Sequence, residues 1–212
     1  MVKAVIFDFD GTFADIAPVV YKIVNDLARK YGYDRFEDYE EALELVKSKG
    51  TKRFIIENLG LNLFKLPSFV RDLKNEIYIR SEKDGKLFEG LEKFLEKLSN
   101  DYTIGILTSN SKDVVEFLLG DSKKHVKFIY PECSFFKKHK HMKKLLKQRK
   151  LKREDVVYVG DEARDIKASR KAKIKVIGVS WGYNAKDLLK KEKPDAIVDS
   201  FDELYSTIKK FN

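Results

Sequence analysis

The chain has 212 residues, 43% of them apolar and 36% charged, with a formal net charge of +9 and one cysteine. That length holds one large domain, or a domain carrying an insertion. The lone Cys133 excludes an internal disulfide, and no apolar run reaches the ~20 residues of a membrane span. "MVKAVIFDFDG" meets acids too soon to be a secretory h-region, so the expectation is a soluble, cytoplasmic protein with no membrane partner. The basic excess favours anionic partners, although the ion-pair-rich surface of a heat-adapted protein gives the same sum.

In chain order, short β-branched or aromatic runs alternate with longer amphipathic stretches, the pattern of a parallel sheet covered by helices. The predicted strands are 3–9 (KAVIFDF), 102–107 (YTIGIL), 126–130 (VKFIY), 155–160 (DVVYVG), 175–180 (KVIGVS) and 196–199 (AIVD). Several are apolar on both faces, as central parallel strands require. Between residues 15 and 88 helical spacing takes over, in VVYKIVNDLARKYG, FEDYEEALELVKSKG, RFIIENLG and SFVRDLKNEIYIRSEK, with no convincing strand among them. The predicted class is α/β: a three-layer, Rossmann-like parallel sheet core made of residues 1–14 and 84–212, with an all-helical cap inserted at 15–83.

The ligand crevice of such a sheet lies beyond the carboxyl ends of its strands. Those ends carry Asp8, Asp10, Gly11 and Thr12 after the first strand, Thr108, Ser109 and Asn110 after the second, and Asp161, Glu162 and Asp165 after the strand ending at Gly160. Three strand ends thus converge on carboxylates and hydroxyls, and such a cluster of acids repels itself without a cation. An oxygen-rich set of this kind suits Mg²⁺, which keeps several waters and shares its shell with a phosphate.

The stretches DFDGT, ILTSN, a lysine in FFKKHK, and VGDEARD, in this order, resemble the four motifs of the haloacid dehalogenase superfamily of phosphohydrolases, with a C1-type helical cap after the first. GDEARDIKASRKAKIKVIGVSWGYN is similar to members labelled phosphoglycolate phosphatase-like. The resemblance implies that Asp8 is the nucleophile and forms an aspartyl-phosphate, with Asp10 as the acid and then the base. It implies a Mg²⁺ on the Asp8 carboxylate, the Asp10 carbonyl and the Asp161 carboxylate, with Asp165 orienting from outside. Thr108, with Ser109 and Asn110 after it, would hold the phosphoryl group, and Lys138 would add positive charge. Lys137 competes with Lys138, and Ser109 with Thr108 if the register slips by one. The implied substrate is a small phosphomonoester such as phosphoglycolate or a sugar phosphate. A phosphomutase of the β-phosphoglucomutase type, or a phosphatase acting on nucleotide or nucleic-acid ends, is the alternative. No base-stacking motif supports the nucleic-acid reading, and nothing fixes the oligomeric state.

Other features have plainer readings. DFDG alone is compatible with a turn, and the glycine comes too early for an EF-hand loop. His139 and His141, two apart on a helix, point to different faces and make a poor zinc pair with Cys133. Trp181 reads as a packing residue at a strand end, and Asp15 as a cap for the first inserted helix. The turn KSKGTKRF sets Lys49, Lys52 and Arg53 about Gly50, where Lys52 and Arg53 are candidates to bind an acidic leaving group; solvated charges at a helix break are the simpler account.

Overall fold

The structure, a computed structural model, describes residues 1–62, 64–131 and 137–212, so Cys133 and the two phenylalanines of FFKKHK lie outside the described residues. The chain runs β1 (Ala4–Phe7), β2 (Ala14–Asp15), α1 (Ala17–Tyr31), α2 (Tyr39–Lys49), α3 (Thr51–Arg53), a π-helical turn at Phe54–Asn58, and α4 (Leu66–Asp84), then returns through β3 (Lys86–Leu87). The second half alternates: α5 (Leu91–Ser99), β4 (Thr103–Thr108), α6 (Lys112–Leu119), β5 (Phe128–Pro131), α7 (Lys138–Arg149), β6 (Val156–Gly160), α8 (Ala163–Ala172), β7 (Lys175–Val179), α9 (Lys186–Lys191), β8 (Ala196–Val198) and α10 (Phe201–Lys210).

Among the described residues six strands form one sheet in the order β5-β4-β1-β6-β7-β8, with every neighbouring pair parallel. They are the six predicted strands, each within two residues of its expected bounds. Side chains alternate across a strand, and β1 divides its residues between two cores accordingly. Val5 and Phe7 pack with Leu95 of α5, Val115 of α6 and Leu204 of α10, whereas Ala4 and Ile6 pack with Leu145 of α7 and Ile166 of α8. Each such fully buried large side chain contributes about 1.5–3 kcal/mol. Helices therefore cover both faces, giving three layers.

From β1 the chain moves outward to β4 and β5, then crosses back to lay β6 on the other side of β1. The order reverses at β1, which makes the ends of β1, β4 and β6 the rim of the crevice.

The inserted helices have an apolar core of their own. Val19, Ile23 and Leu27 of α1 meet Phe54 and Ile55 of the π turn and Phe69 of α4. Gly32 ends α1 in the left-handed conformation (φ 77°), its N–H donating to the Ala28 carbonyl, and the Asp38 carboxylate caps α2 by accepting from the Glu41 N–H. Asp15 accepts from the Ala17 N–H at 3.2 Å, at the start of α1. One expectation needs correction. Strands do occur at the margins of the insertion, where β2 and β3 pair antiparallel, Ala14 with Leu87 and Asp15 with Lys86. Two-residue strands have too few positions to show alternation, so no periodicity announced this ribbon at the base of the helices.

Candidate active site

β1 ends at Phe7, and the chain continues along β6 for one more residue, the Asp8 N–H donating to the Val159 carbonyl at 2.8 Å. Asp8 is thereby held at the strand tip, 3% exposed. α7 approaches from the other side of the crevice and begins with Lys138, whose Nζ donates to Asp8 Oδ2 and to Asp165 Oδ1, both at 2.6 Å. Of the two candidate lysines, Lys138 is 5% exposed inside the crevice, while Lys137 is on the surface.

Asp161, at the tip of β6, is fully buried. Its Oδ1 accepts from the Thr12 hydroxyl at 2.9 Å and its Oδ2 from the Tyr183 N–H at 2.8 Å. Two glycines let the backbone come this close. A Cβ on Gly11, where φ is +76°, would lie 2.2 Å from Asp161 Oδ2, and one on Gly182 would lie 2.3 Å from the Asp161 Cβ. Asp165 serves the start of α8, accepting from the Glu162 N–H at 3.1 Å in a capping box.

The side-chain oxygens of Asp8, Asp161 and Asp165 lie within 4.8 Å of one another, the one such metal-competent group among the described residues. Asp10 stands just beyond it, partly exposed, with its Oδ1 accepting from Asn110 Nδ2 at 3.2 Å. Thr108 is fully buried and its hydroxyl oxygen accepts from the Asn110 N–H at 3.0 Å, while Ser109 and Asn110 line the open crevice.

The charges do not balance. Asp8, Asp10, Asp161, Glu162 and Asp165 face Lys138 and Arg164. Burial pushes the Asp8 carboxyl upward against the pull of Lys138. Asp161 is driven well above its ordinary value by burial first and then by Glu162, Asp165 and Asp8. Among the described residues no lysine or arginine pairs with Asp161, whose partners are neutral donors. A buried carboxylate left in this way costs several kcal/mol, and an oxygen-only donor set of this size fits a hard divalent cation. Burial also raises Asp10, to about 6, against the opposing hydrogen bond from Asn110.

The inserted helices sit on this crevice. The Thr51 hydroxyl donates to Glu162 Oε1, and the Ala185 N–H donates to the Lys47 carbonyl at 3.0 Å. Arg164 Nε donates to Glu162 Oε2. Arg53 turns away, 70% exposed and paired with Glu57 at 3.0 Å one turn on, and Lys52 falls in α3 with a side chain outside the described set. His139 and His141 are partly exposed on α7 and belong to no ligand cluster, and Trp181 packs 5.0 Å from the Phe201 ring while its Nε1 donates to the Thr12 carbonyl.

Sequence reasoning did not assign site contacts to Thr12, Thr51, Arg164 or Tyr183. Thr12 stood inside DFDGT and was legible as part of that motif. Arg164 likewise stood inside VGDEARD, whereas Thr51 and Tyr183 reach the crevice through tertiary packing, which no local pattern encodes.

An acidic, oxygen-only cluster at the switch point of a doubly wound parallel sheet defines a class of α/β protein suited to phosphorylated ligands and a divalent cation. The chain belongs to the haloacid dehalogenase-like hydrolase family, whose description matches residues 5–179. It is 27% identical over 209 residues to the phosphoglycolate phosphatase of Synechococcus elongatus, covering 97% of both chains. Its fold matches the crystal structure of a "predicted phosphatase" from Clostridium acetobutylicum with a TM-score of 0.85 at 21% identity over 99% of both chains. A haloacid dehalogenase-like hydrolase from Streptococcus pneumoniae matches with a TM-score of 0.78 at 19% identity over 98% of each.

Proposed function

We propose that the chain is a Mg²⁺-dependent phosphomonoester hydrolase working through an aspartyl-phosphate. The observation that carries this is the Lys138 bridge, which presents Asp8 at the tip of β1 with Asp10 two residues on. An Asp8 carboxylate oxygen attacks phosphorus, the bond from phosphorus to the ester oxygen breaks, and the departing oxygen takes a proton from Asp10. Water then gives a proton to Asp10 and attacks the same phosphorus, breaking the bond to Asp8 and releasing phosphate. A carboxyl whose buried setting raises it to about 6 is matched to both halves of that cycle near neutral pH. Lys138 holds Asp8 oriented and offsets charge on the transferring group, and Thr108, Ser109 and Asn110 supply donors at the end of β4. Asp8, Asp161 and the Asp10 carbonyl are the groups that would hold Mg²⁺, which supplies positive charge against the phosphate dianion. Asp165 ties Lys138 to the start of α8, accepting from Lys138 Nζ and from the Glu162 N–H, which supports an orienting role for it.

Residues 15–83 are read as a cap that closes over the crevice and limits bulk water. A phosphomutase would need a second cationic phosphate site under that cap, and the walls there are mainly apolar, which favours the hydrolase. Phosphate release from p-nitrophenyl phosphate, with Mg²⁺ or with EDTA, tests the reading. Asp8→Asn should cut kcat by about 10⁴-fold or more while circular dichroism stays unchanged, because shape is kept and the nucleophile is lost. A near-normal rate in the variant would refute it.

A further inference from the structure

Above the carboxylates a cavity of about 430 Å³ opens between the inserted helices and the sheet, within the ~300–1,000 Å³ range of small-molecule sites. Its floor is Asp10, Ser109 and Asn110, so it continues directly from the reacting centre. Its walls come from four elements of the cap: Val20 on α1, Leu43 and Val46 on α2, Phe54 in the π turn, and Leu73 and Ile77 on α4.

A small anionic ester such as phosphoglycolate would bring a second negative charge into this space. That charge needs a cation, since apolar surroundings penalise an unpaired one. Among the described residues the cations on the wall are Arg164, whose Nε is engaged by Glu162, and Lys74. The remaining lining is dominated by aliphatic and aromatic side chains, which gain by covering hydrocarbon. Near the floor the Tyr183 hydroxyl is buried with no hydrogen-bond partner among the described residues, a polar group of the sort that a ligand oxygen satisfies.

We propose that the cap cavity receives the leaving group, and that this group is an uncharged, largely apolar body the size of a medium alkyl chain or an aromatic ring. The assignment rests on the phosphomonoester hydrolase reading above and names its substrate class. It departs from the expectation of phosphoglycolate or a sugar phosphate, which the motifs suggested and the cap walls do not favour.

The test is a series of alkyl monophosphates, ethyl, butyl and hexyl, whose leaving-group chemistry is nearly constant, with phosphoglycolate as the charged comparison. kcat/KM should rise along the series by up to about fourfold per methylene, and butyl phosphate should exceed phosphoglycolate. Leu43→Trp, a change at a partly exposed wall position, should lower the hexyl-to-ethyl ratio by about tenfold. The wild-type series decides the matter even if that variant folds poorly. Hydrolysis with no gain along the series, or with phosphoglycolate preferred, would overturn the cavity assignment and leave the hydrolase standing. Failure to hydrolyse any ester, p-nitrophenyl phosphate included, would overturn the hydrolase reading and the cavity assignment with it.

Discussion

The crevice at the strand tips and the cavity beneath the cap are adjacent, yet they are built on opposite principles. In the crevice, charge is buried and held by short ion pairs and hydrogen bonds, with Lys138 between Asp8 and Asp165 and Asp161 between the Thr12 hydroxyl and the Tyr183 N–H. Under the cap, charge is kept mostly on the outer helix faces, in pairs such as Arg53 with Glu57 and Arg80 with Asp26, and the inner faces are apolar. The first arrangement makes a geometry that reaction requires and that packing alone would not select. The second makes a space whose contents are chosen by size and polarity. On the function proposed above, one chain separates chemistry from selection by placing them on different structural layers.

The sharpest way to break this comparison is to remove the cation that the crevice depends on. Lys138→Met leaves Asp8 and Asp165 buried without their shared partner, and breaking a buried pair in this way costs about 3–5 kcal/mol. We expect a fall in unfolding free energy of that size in urea, together with loss of turnover. The same substitution at Lys137, which is exposed, should change stability by less than about 0.5 kcal/mol. Equal effects at the two positions would mean that the bridge does not organise the site.

A smaller effect should come from the metal. If the carboxylates hold Mg²⁺ in the folded state only, saturation at a hundred times Kd stabilises by about 2.7 kcal/mol. Thermal unfolding should therefore rise with Mg²⁺ in the wild type, and Asp161→Asn should largely abolish the rise. Asp161→Asn removes the buried charge but leaves one acceptor for two donors, the Thr12 hydroxyl and the Tyr183 N–H, so in its apo form relief of the charge is offset by one lost hydrogen bond of about 1 kcal/mol. An undiminished Mg²⁺ shift in the variant would place the ion elsewhere. This readout needs no substrate and is independent of what the cap selects.

Much of the crevice was legible because its residues stand at the ends of strands that the sequence marks strongly. Runs such as VVYV and VIGV are β-branched and apolar on both faces, so their ends, and hence Asp8, Thr108 and Asp161, could be placed by counting. The choice between Lys137 and Lys138 was not legible, because it turns on where α7 begins, and helix starts without a side-chain cap are weakly encoded. Arg53 was a candidate for the crevice on charge alone, but the carboxylate one turn away is nearer. The cap cavity was hidden for a different reason. Helical periodicity reports which face of each helix is apolar, whereas the cavity is the gap left where such faces fail to meet, a property of the packed set. Thr51 and Glu162, 111 residues apart, belong to that same level of organisation.

The smallest expected effect concerns how the cap keeps its charges outside. Asp72 of α4 accepts from Lys30 Nζ at 2.5 Å and from the Tyr31 hydroxyl at 2.6 Å, joining the end of α1 to α4. The hydrogen bonds from Lys30 and then from Tyr31 lower its carboxyl to about 2, below its ordinary value of 3.8. A group whose folded-state value is depressed stabilises fully above its unfolded value and loses that contribution as pH falls through the folded one. The window is therefore from about pH 4 down to about pH 2. Asp72→Asn should melt slightly below the wild type at pH 7, and the two curves should converge as pH drops through that window. The difference should also shrink at high salt, since the pair is open to solvent on the Lys30 side. A gap that persisted unchanged at pH 2 and in high salt would show that the side chain acts by shape and hydrogen bonding within the cap, and would weaken the contrast between its charged exterior and apolar interior.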